Sequence, residues 1–177
     1  MDRGKDFEID VLSTSQIKNA LNKCTVTSPY FRGVFALDHL PQTYIVPRPA
    51  LVVQNTAYSD SAGEHWTAYY LNTKNSVEYF DSYGLPPKGE YMARFITAND
   101  LTHNFNYNTI PLQSLEAATC GKYAVTYLYF RTLGYTVDQY ISILGKKPDK
   151  KVRWLYKKHF GEGSGGCEGG QICYKYG

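Results

Sequence analysis

The chain contains no apolar run approaching the roughly 18 residues that a membrane-spanning helix needs. Its first residues, Met1 to Asp6, are charged and have no apolar stretch behind them like that of a secretory signal. The expectation is a soluble protein made in the cytosol, with no membrane partner. Cysteine is scarce: four in 177 residues are too few for a disulfide framework. Cys24, Cys167 and Cys173 show no CxxC spacing, which argues against a zinc site, and neither a metal nor an organic cofactor is expected. Charge of one sign is not in excess either. A net charge of +3 says little about partners when taken alone. Long internal repeats are also missing. With 43% hydrophobic and 20% charged residues, wholesale disorder is excluded, and the length suits one domain with an ordinary core. Residues 1–160 are read as that domain. Residues 161–177 change composition to a glycine-rich linker and a cysteine-containing tail.

What the chain does have in quantity is tyrosine. Its 17 Tyr suit half-buried strands and wet binding surfaces, because the ring is apolar and its tip polar. Hydrophobic spacing predicts a helix over 14–24, capped by Thr14 or Ser15, with Ile17, Ala20, Leu21 and Cys24 on one face. Residues 28–33 break that pattern, and prolines 41, 47 and 49 keep the next stretch irregular or at a sheet edge. A buried strand is expected at 51–53. Two more, 65–71 and 76–81, are joined by four polar residues, short enough for an antiparallel hairpin. A short helix over 90–96 and a strand over 107–112 follow. The longest helical pattern, 120–132, is apolar on nearly every side, which predicts a central, buried helix that Gly134 stops. Two further helices are read at 137–144 and 149–160.

Four residues stand where such an architecture would bring chemistry together. His65 heads one arm of the hairpin in Gly63-Glu64-His65-Trp66, and Asp81 ends the other. A hairpin returns both to one edge of the sheet, within hydrogen-bonding reach. Cys120 opens the central helix, where unpaired N–H groups and the helix dipole favour a thiolate. Gln113 lies seven residues before it and offers a side-chain amide to an oxyanion. A thiol, an imidazole, a carboxylate and an amide are the parts of a cysteine hydrolase. Each has a plainer reading: a core thiol, a strand-end histidine, a turn-capping aspartate, a loop glutamine. Trp66 is either the wall of a narrow substrate groove or a core aromatic, and Gly121 leaves room for a substrate backbone. His39, His103 and His159 lack matching contexts and are read as structural or surface residues.

Gly-x-His-Trp, an acidic residue followed by an aromatic-Gly pair, and Gln-x6-Cys-Gly together resemble the adenovirus-type cysteine proteases, the adenain family. Ser28-Pro29-Tyr30-Phe31-Arg32-Gly33 resembles that family's Pro-Tyr-Phe-x-Gly segment, and the likeness covers roughly residues 10 to 135. The His-Trp and Cys-Gly elements are shared with SUMO- and ubiquitin-like-protein proteases. The resemblance implies an α+β fold, with a mixed, largely antiparallel sheet packed against helices and the nucleophile at the N-terminus of a central helix. It implies a triad of His65, Asp81 and Cys120, with Gln113 as oxyanion donor. The implied activity is endopeptidase cleavage of viral capsid or core precursors after small, glycine-type residues, in the virion and the host nucleus or cytoplasm. It further implies stimulation by DNA and by a short cysteine-containing viral peptide. Asp81 stands where adenovirus enzymes usually carry Glu, and so resembles the deconjugating proteases.

Two expectations follow from that likeness. Cys167 or Cys173, fused through the glycine linker, would mimic the activating peptide and pair with Cys24 or with each other. A deconjugating protease for ubiquitin-like tails ending in Gly-Gly is the alternative activity. Separately from the likeness, Lys146, Lys147, Lys150, Lys151, Arg153, Lys157 and Lys158 crowd one segment. That segment is either a solvated helix face or a DNA contact. With Trp154 and Tyr156 it also supports a third reading, a DNA- or virion-binding module without catalysis.

Overall fold

The computed structural model describes residues 10–161. The first helix, α1 (Thr14–Lys23), is capped by Ser13 rather than by Thr14 or Ser15. Ser13 Oγ accepts the Gln16 N–H at 3.2 Å, and Gln16 Oε1 accepts the Ser13 N–H at 2.8 Å. The reason lies in spacing. Ser13 is the position with Gln three residues on, which closes a reciprocal capping box. Ile17 and Leu21 carry the buried face of α1.

Five strands among the described residues form one sheet in sequence order: β1 (Phe31–Phe35), β2 (Ala50–Asn55), β3 (Trp66–Leu71), β4 (Val77–Phe80) and β5 (Asn106–Tyr107). The central ladders β2–β3 and β3–β4 are antiparallel; the outer ladders β1–β2 and β4–β5 are parallel. The sheet is therefore mixed, with its longest pairings antiparallel. The fold is α+β, as the sequence implied.

Both faces of the sheet are covered. On one face Leu51, Val53, Ala68 and Phe80 pack against α1, α3 (Cys120–Thr132), α4 (Val137–Leu144) and α5 (Pro148–Phe160). On the other, Ala50, Val52, Tyr69, Leu71, Val77 and Tyr79 pack against Met92 and Phe95 of α2 (Glu90–Asn99). Cover on both sides explains why these strands carry apolar residues on both faces. Helix α3 lies at the centre, with every residue from Gly121 to Phe130 buried.

Two expectations gave way. Residues 31–33 belong to β1, an edge strand that is half-buried throughout and so carries no alternating signal. The strand expected over 107–112 pairs only at Asn106 and Tyr107. Beyond it, the Asn108 side chain takes over the pairing: its Oδ1 accepts the Asp81 N–H at 2.9 Å and its Nδ2 donates to the Asp81 carbonyl at 2.7 Å. Pro111 has no N–H with which to continue a ladder.

Candidate active site

Strand β3 starts one residue after His65, and β4 ends one residue before Asp81. Ala68 faces Phe80. Extending that register by one puts Asp81 opposite Thr67, with His65 two residues along on the same side. The pair is a cross-strand diagonal, within reach of long side chains. His65 Nε2 lies 2.9 Å from Asp81 Oδ1. The nitrogen left for any other partner is Nδ1, and the Cys120 thiol is near enough for each group to shift the other's titration. The structure therefore brings His65, Asp81 and Cys120 together. Cys120, a free cysteine, opens α3.

The tip of α3 is built to face a negative charge. Helices α1 and α4 close their first turns with capping boxes, Ser13 with Gln16 and Thr136 with Gln139. The Thr119 hydroxyl is spent differently, donating to Asp149 Oδ1 at 2.8 Å. The N–H groups at the start of α3 are left for the sulfur. Burial opposes a thiolate at Cys120. The hydrogen bond to His65 and the backbone N–H groups of Trp66 and Gly121 outweigh it, and the thiol pKa is lowered. Burial likewise opposes a charged His65. Its hydrogen bonds to Asp81 and Cys120 win, and its pKa is raised to about 9. Both shifts favour a thiolate–imidazolium pair.

Asp81 is itself held. Its Oδ1 also accepts the Tyr83 N–H at 2.8 Å, its backbone is clamped by Asn108, and only 4% of the residue is exposed. The Tyr83 ring stacks on His65, centroids 4.9 Å apart. Gln113 reaches the same place through Ser82. The Ser82 hydroxyl donates to Gln113 Oε1 at 2.7 Å, which turns the amide nitrogen toward the groove. That nitrogen donates to the Tyr83 hydroxyl at 3.2 Å and to the Ala117 carbonyl. An oxyanion would have to take the place of one of them.

The groove holds about 530 Å3 and is lined by residues 11–14, Asn55, residues 63–66, Tyr83, Gln113, Ala117, Ala118 and Cys120. Trp66 belongs to the core and also borders the groove. Its ring lines the groove, while its Nε1 donates to the Leu12 carbonyl at 2.8 Å. Gly121 does not make room for a substrate. A Cβ there would meet Leu12 Cβ at 3.0 Å and Trp66 Cδ1 at 3.2 Å, so the space it leaves is filled by the protein itself.

Three supporting residues were not among the site candidates that the sequence offered. Asn108 clamps Asp81. Asn55 Oδ1 accepts the N–H groups of Ala57 and Glu64, holding the loop ahead of His65. Asp149 gathers Ser114 N, Thr119 Oγ1 and Tyr123 OH, fixing the segment ahead of Cys120. A lone Asn or Asp in a polar stretch looks like any turn residue.

The remaining candidates lie elsewhere. On and before α5, Lys146, Lys147, Lys150, Lys157 and Lys158 are exposed. Lys151 and Lys158 sit over the Trp154 ring, at 4.5 and 4.7 Å from its centroid. Arg153 departs from this cluster. It pairs with Asp10, whose second bond to Lys122 ties the start of the described chain to α3. Cys24 is buried in the core; its suggested partners Cys167 and Cys173 lie outside the described residues, as does the tail from residue 162. Among the described residues no group of three or more His, Cys, Asp or Glu is placed to hold a metal ion.

No protein-family model matches the sequence, and no curated protein matches it. Among solved structures the chain is similar to the ASFV pS273R protease, with a TM-score of 0.61 and 20% identity over 86% of this chain and 68% of that one. It also aligns with the SUMO protease Ulp1, with a TM-score of 0.49 and 13% identity over 81% of this chain and 74% of that one. The fold is thus one that the ASFV protease also has, in line with the architecture that the adenain-type motifs implied.

Proposed function

We propose that this protein is a cysteine peptidase in which Cys120 is the nucleophile, His65 the general acid–base and Asp81 the group that orients the imidazole. One observation carries the reading: His65 lies 2.9 Å from the Asp81 carboxylate and, with the Cys120 thiol at a helix tip, lines a groove of about 530 Å3. In the first step the Cys120 sulfur bonds to the scissile carbonyl carbon, and the carbonyl oxygen becomes an oxyanion. Backbone N–H groups at the start of α3 and the Gln113 amide face that charge. Collapse breaks the C–N bond, and the leaving amine takes the proton of the imidazolium. Water activated by His65 then hydrolyses the thioester and restores the thiolate.

The substrate we assign is a virion precursor protein cut after a small, glycine-type residue. The support is the run of adenain-like motifs and a fold in common with an ASFV protease. DNA on the exposed lysines of α5 and a cysteine-containing activating peptide belong to the same proposal. A second reading, removal of ubiquitin-like proteins ending in Gly-Gly, is favoured by one residue, the aspartate at position 81.

The deciding experiment is hydrolysis of glycine-containing peptides, with and without DNA, by the wild type and by Cys120→Ala. Cleavage is expected from the wild type, with none detectable from the variant. Equal rates in the two proteins would end the peptidase reading. Salt-dependent DNA binding without proteolysis would leave the binding module in its place. A parallel panel of ubiquitin-like conjugates separates the two peptidase readings.

A further inference from the structure

We infer that a second, apolar pocket on the far side of His65 receives the part of the substrate that follows the scissile bond. This deepens the peptidase reading and rests on it. The pocket holds about 690 Å3, and His65 lines it as well as the Cys120 groove. The chemistry fixes which half of the substrate goes where. The acyl half stays on the Cys120 sulfur. The departing amine takes its proton from the imidazole, so the departing chain leaves past that ring. Past the ring, next to Asp81, lie Leu85, Pro86, Pro87, Lys88 and Met92, over the Tyr79 side chain.

The lining defines what would fit. Leu85 is 56% exposed, an apolar side chain held open to solvent beside the reacting groups. Pro86 and Pro87 have no N–H to offer, so recognition there runs through side chains rather than strand pairing. The occupant is therefore a polypeptide with branched or aromatic side chains in the first positions after the cleaved bond. The exposed Lys88 favours an acidic group further along.

The wall is already built. Tyr79 and Met92 are 1% and 3% exposed and make a fixed floor. The loop above them is pinned: Ser82 O accepts the N–H groups of Leu112 and Gln113, and Met92 Sδ accepts the Lys88 N–H. Gly84 sits at φ +69, with its Cα so close to the 109–111 backbone that a Cβ would lie 2.8 Å from the Ile110 carbonyl carbon. Little ordering remains to be paid on binding.

The test uses two fluorogenic substrates with the same acyl peptide ending in Gly-Gly. One carries only a coumarin amide as leaving group; the other is internally quenched and continues with Leu-Phe. Leu85→Asp should lower kcat/KM on the longer substrate about tenfold, through KM, and leave the coumarin amide within about twofold. Replacing Leu-Phe by Ser-Ser in the substrate should erase the difference between wild type and variant. Equal losses on both substrates, or none on either, overturn the assignment. A labelled peptide beginning Leu-Phe, titrated onto the wild type, gives a readout free of catalysis. Should neither substrate be cleaved, the peptidase reading fails and this arm alone decides the pocket. Binding that Leu85→Asp weakens keeps it as a peptide site; absence of binding removes it.

Discussion

One buried acid lies in strand β4 and a second directly follows its end, and they anchor two different kinds of cluster. Glu78, 8% exposed, accepts from Arg131 Nε at 2.7 Å and from the Tyr127 hydroxyl. Asp81, 4% exposed, faces His65 and through it Cys120. Both are a carboxylate against a cation with a third polar group behind. The difference is the cation. A guanidinium does not lose its proton in a protein, so Glu78–Arg131 is a fixed pair that fastens β4 to α3. The Arg131 guanidinium also lies 4.4 Å from the centroid of the Tyr70 ring, which closes the cluster. An imidazole does lose its proton, and here it shares that proton with a thiol at the mouth of a groove. Burial with a saturated partner makes a fastener; burial with a titratable one makes a site that can react.

Exchanging the two acids for alanine should separate these roles. Asp81→Ala is expected to cost roughly 10,000-fold in kcat, as when a triad loses its orienting carboxylate, with a smaller effect on the melting temperature. Glu78→Ala should do the reverse. It leaves a partly buried guanidinium without its carboxylate and should cost about 3 kcal/mol of stability, read by denaturant unfolding. Activity per folded molecule should be little changed. If both variants lost stability equally and kept equal activity, the distinction would be wrong.

Gln113→Ala sharpens the comparison from the oxyanion side. Loss of one donor should raise the barrier by about 3 kcal/mol, with KM little changed. Because the Gln113 amide already holds the Tyr83 hydroxyl, Tyr83→Phe tests whether that bond competes with the oxyanion. A faster variant would say that it does. The mildest effect is on pH dependence. The rate should fall at low pH as Cys120 takes a proton, and at high pH as His65 gives one up near 9. Stability linked to His65 follows the same sign: its folded pKa is raised, so that contribution is complete below about 6.5 and is lost through about 9. A plateau through neutral pH is expected; a rate still rising above pH 9 would mean that the imidazolium is not the acid.

Much of the site was legible because the signals were local. His65 and Asp81 flank a hairpin, and a hairpin returns its ends together whatever the rest of the chain does. Cys120 opens a helix whose length and apolarity announce it. Two of the misreadings share one cause, a long-range partner. Gly121 reads as space for substrate, but Leu12, more than a hundred residues away, fills it. Arg153 reads as part of a basic face, but Asp10 lies against it. Strand β1 gave no alternating pattern because an edge strand buries neither face fully.

The order of residue types along the chain determined that a thiol, an imidazole and a carboxylate would be available at the ends of regular elements, since periodicity and turn chemistry act over a few residues. Which hydrogen bond each group ends up making was settled by packing. Asn108 against Asp81, Ser82 against Gln113, and Asp149 against Thr119 join positions 27 to 31 residues apart. Contacts across such separations exist only once the sheet has closed over α3, because only then does burial make an unpaired polar group too costly to leave.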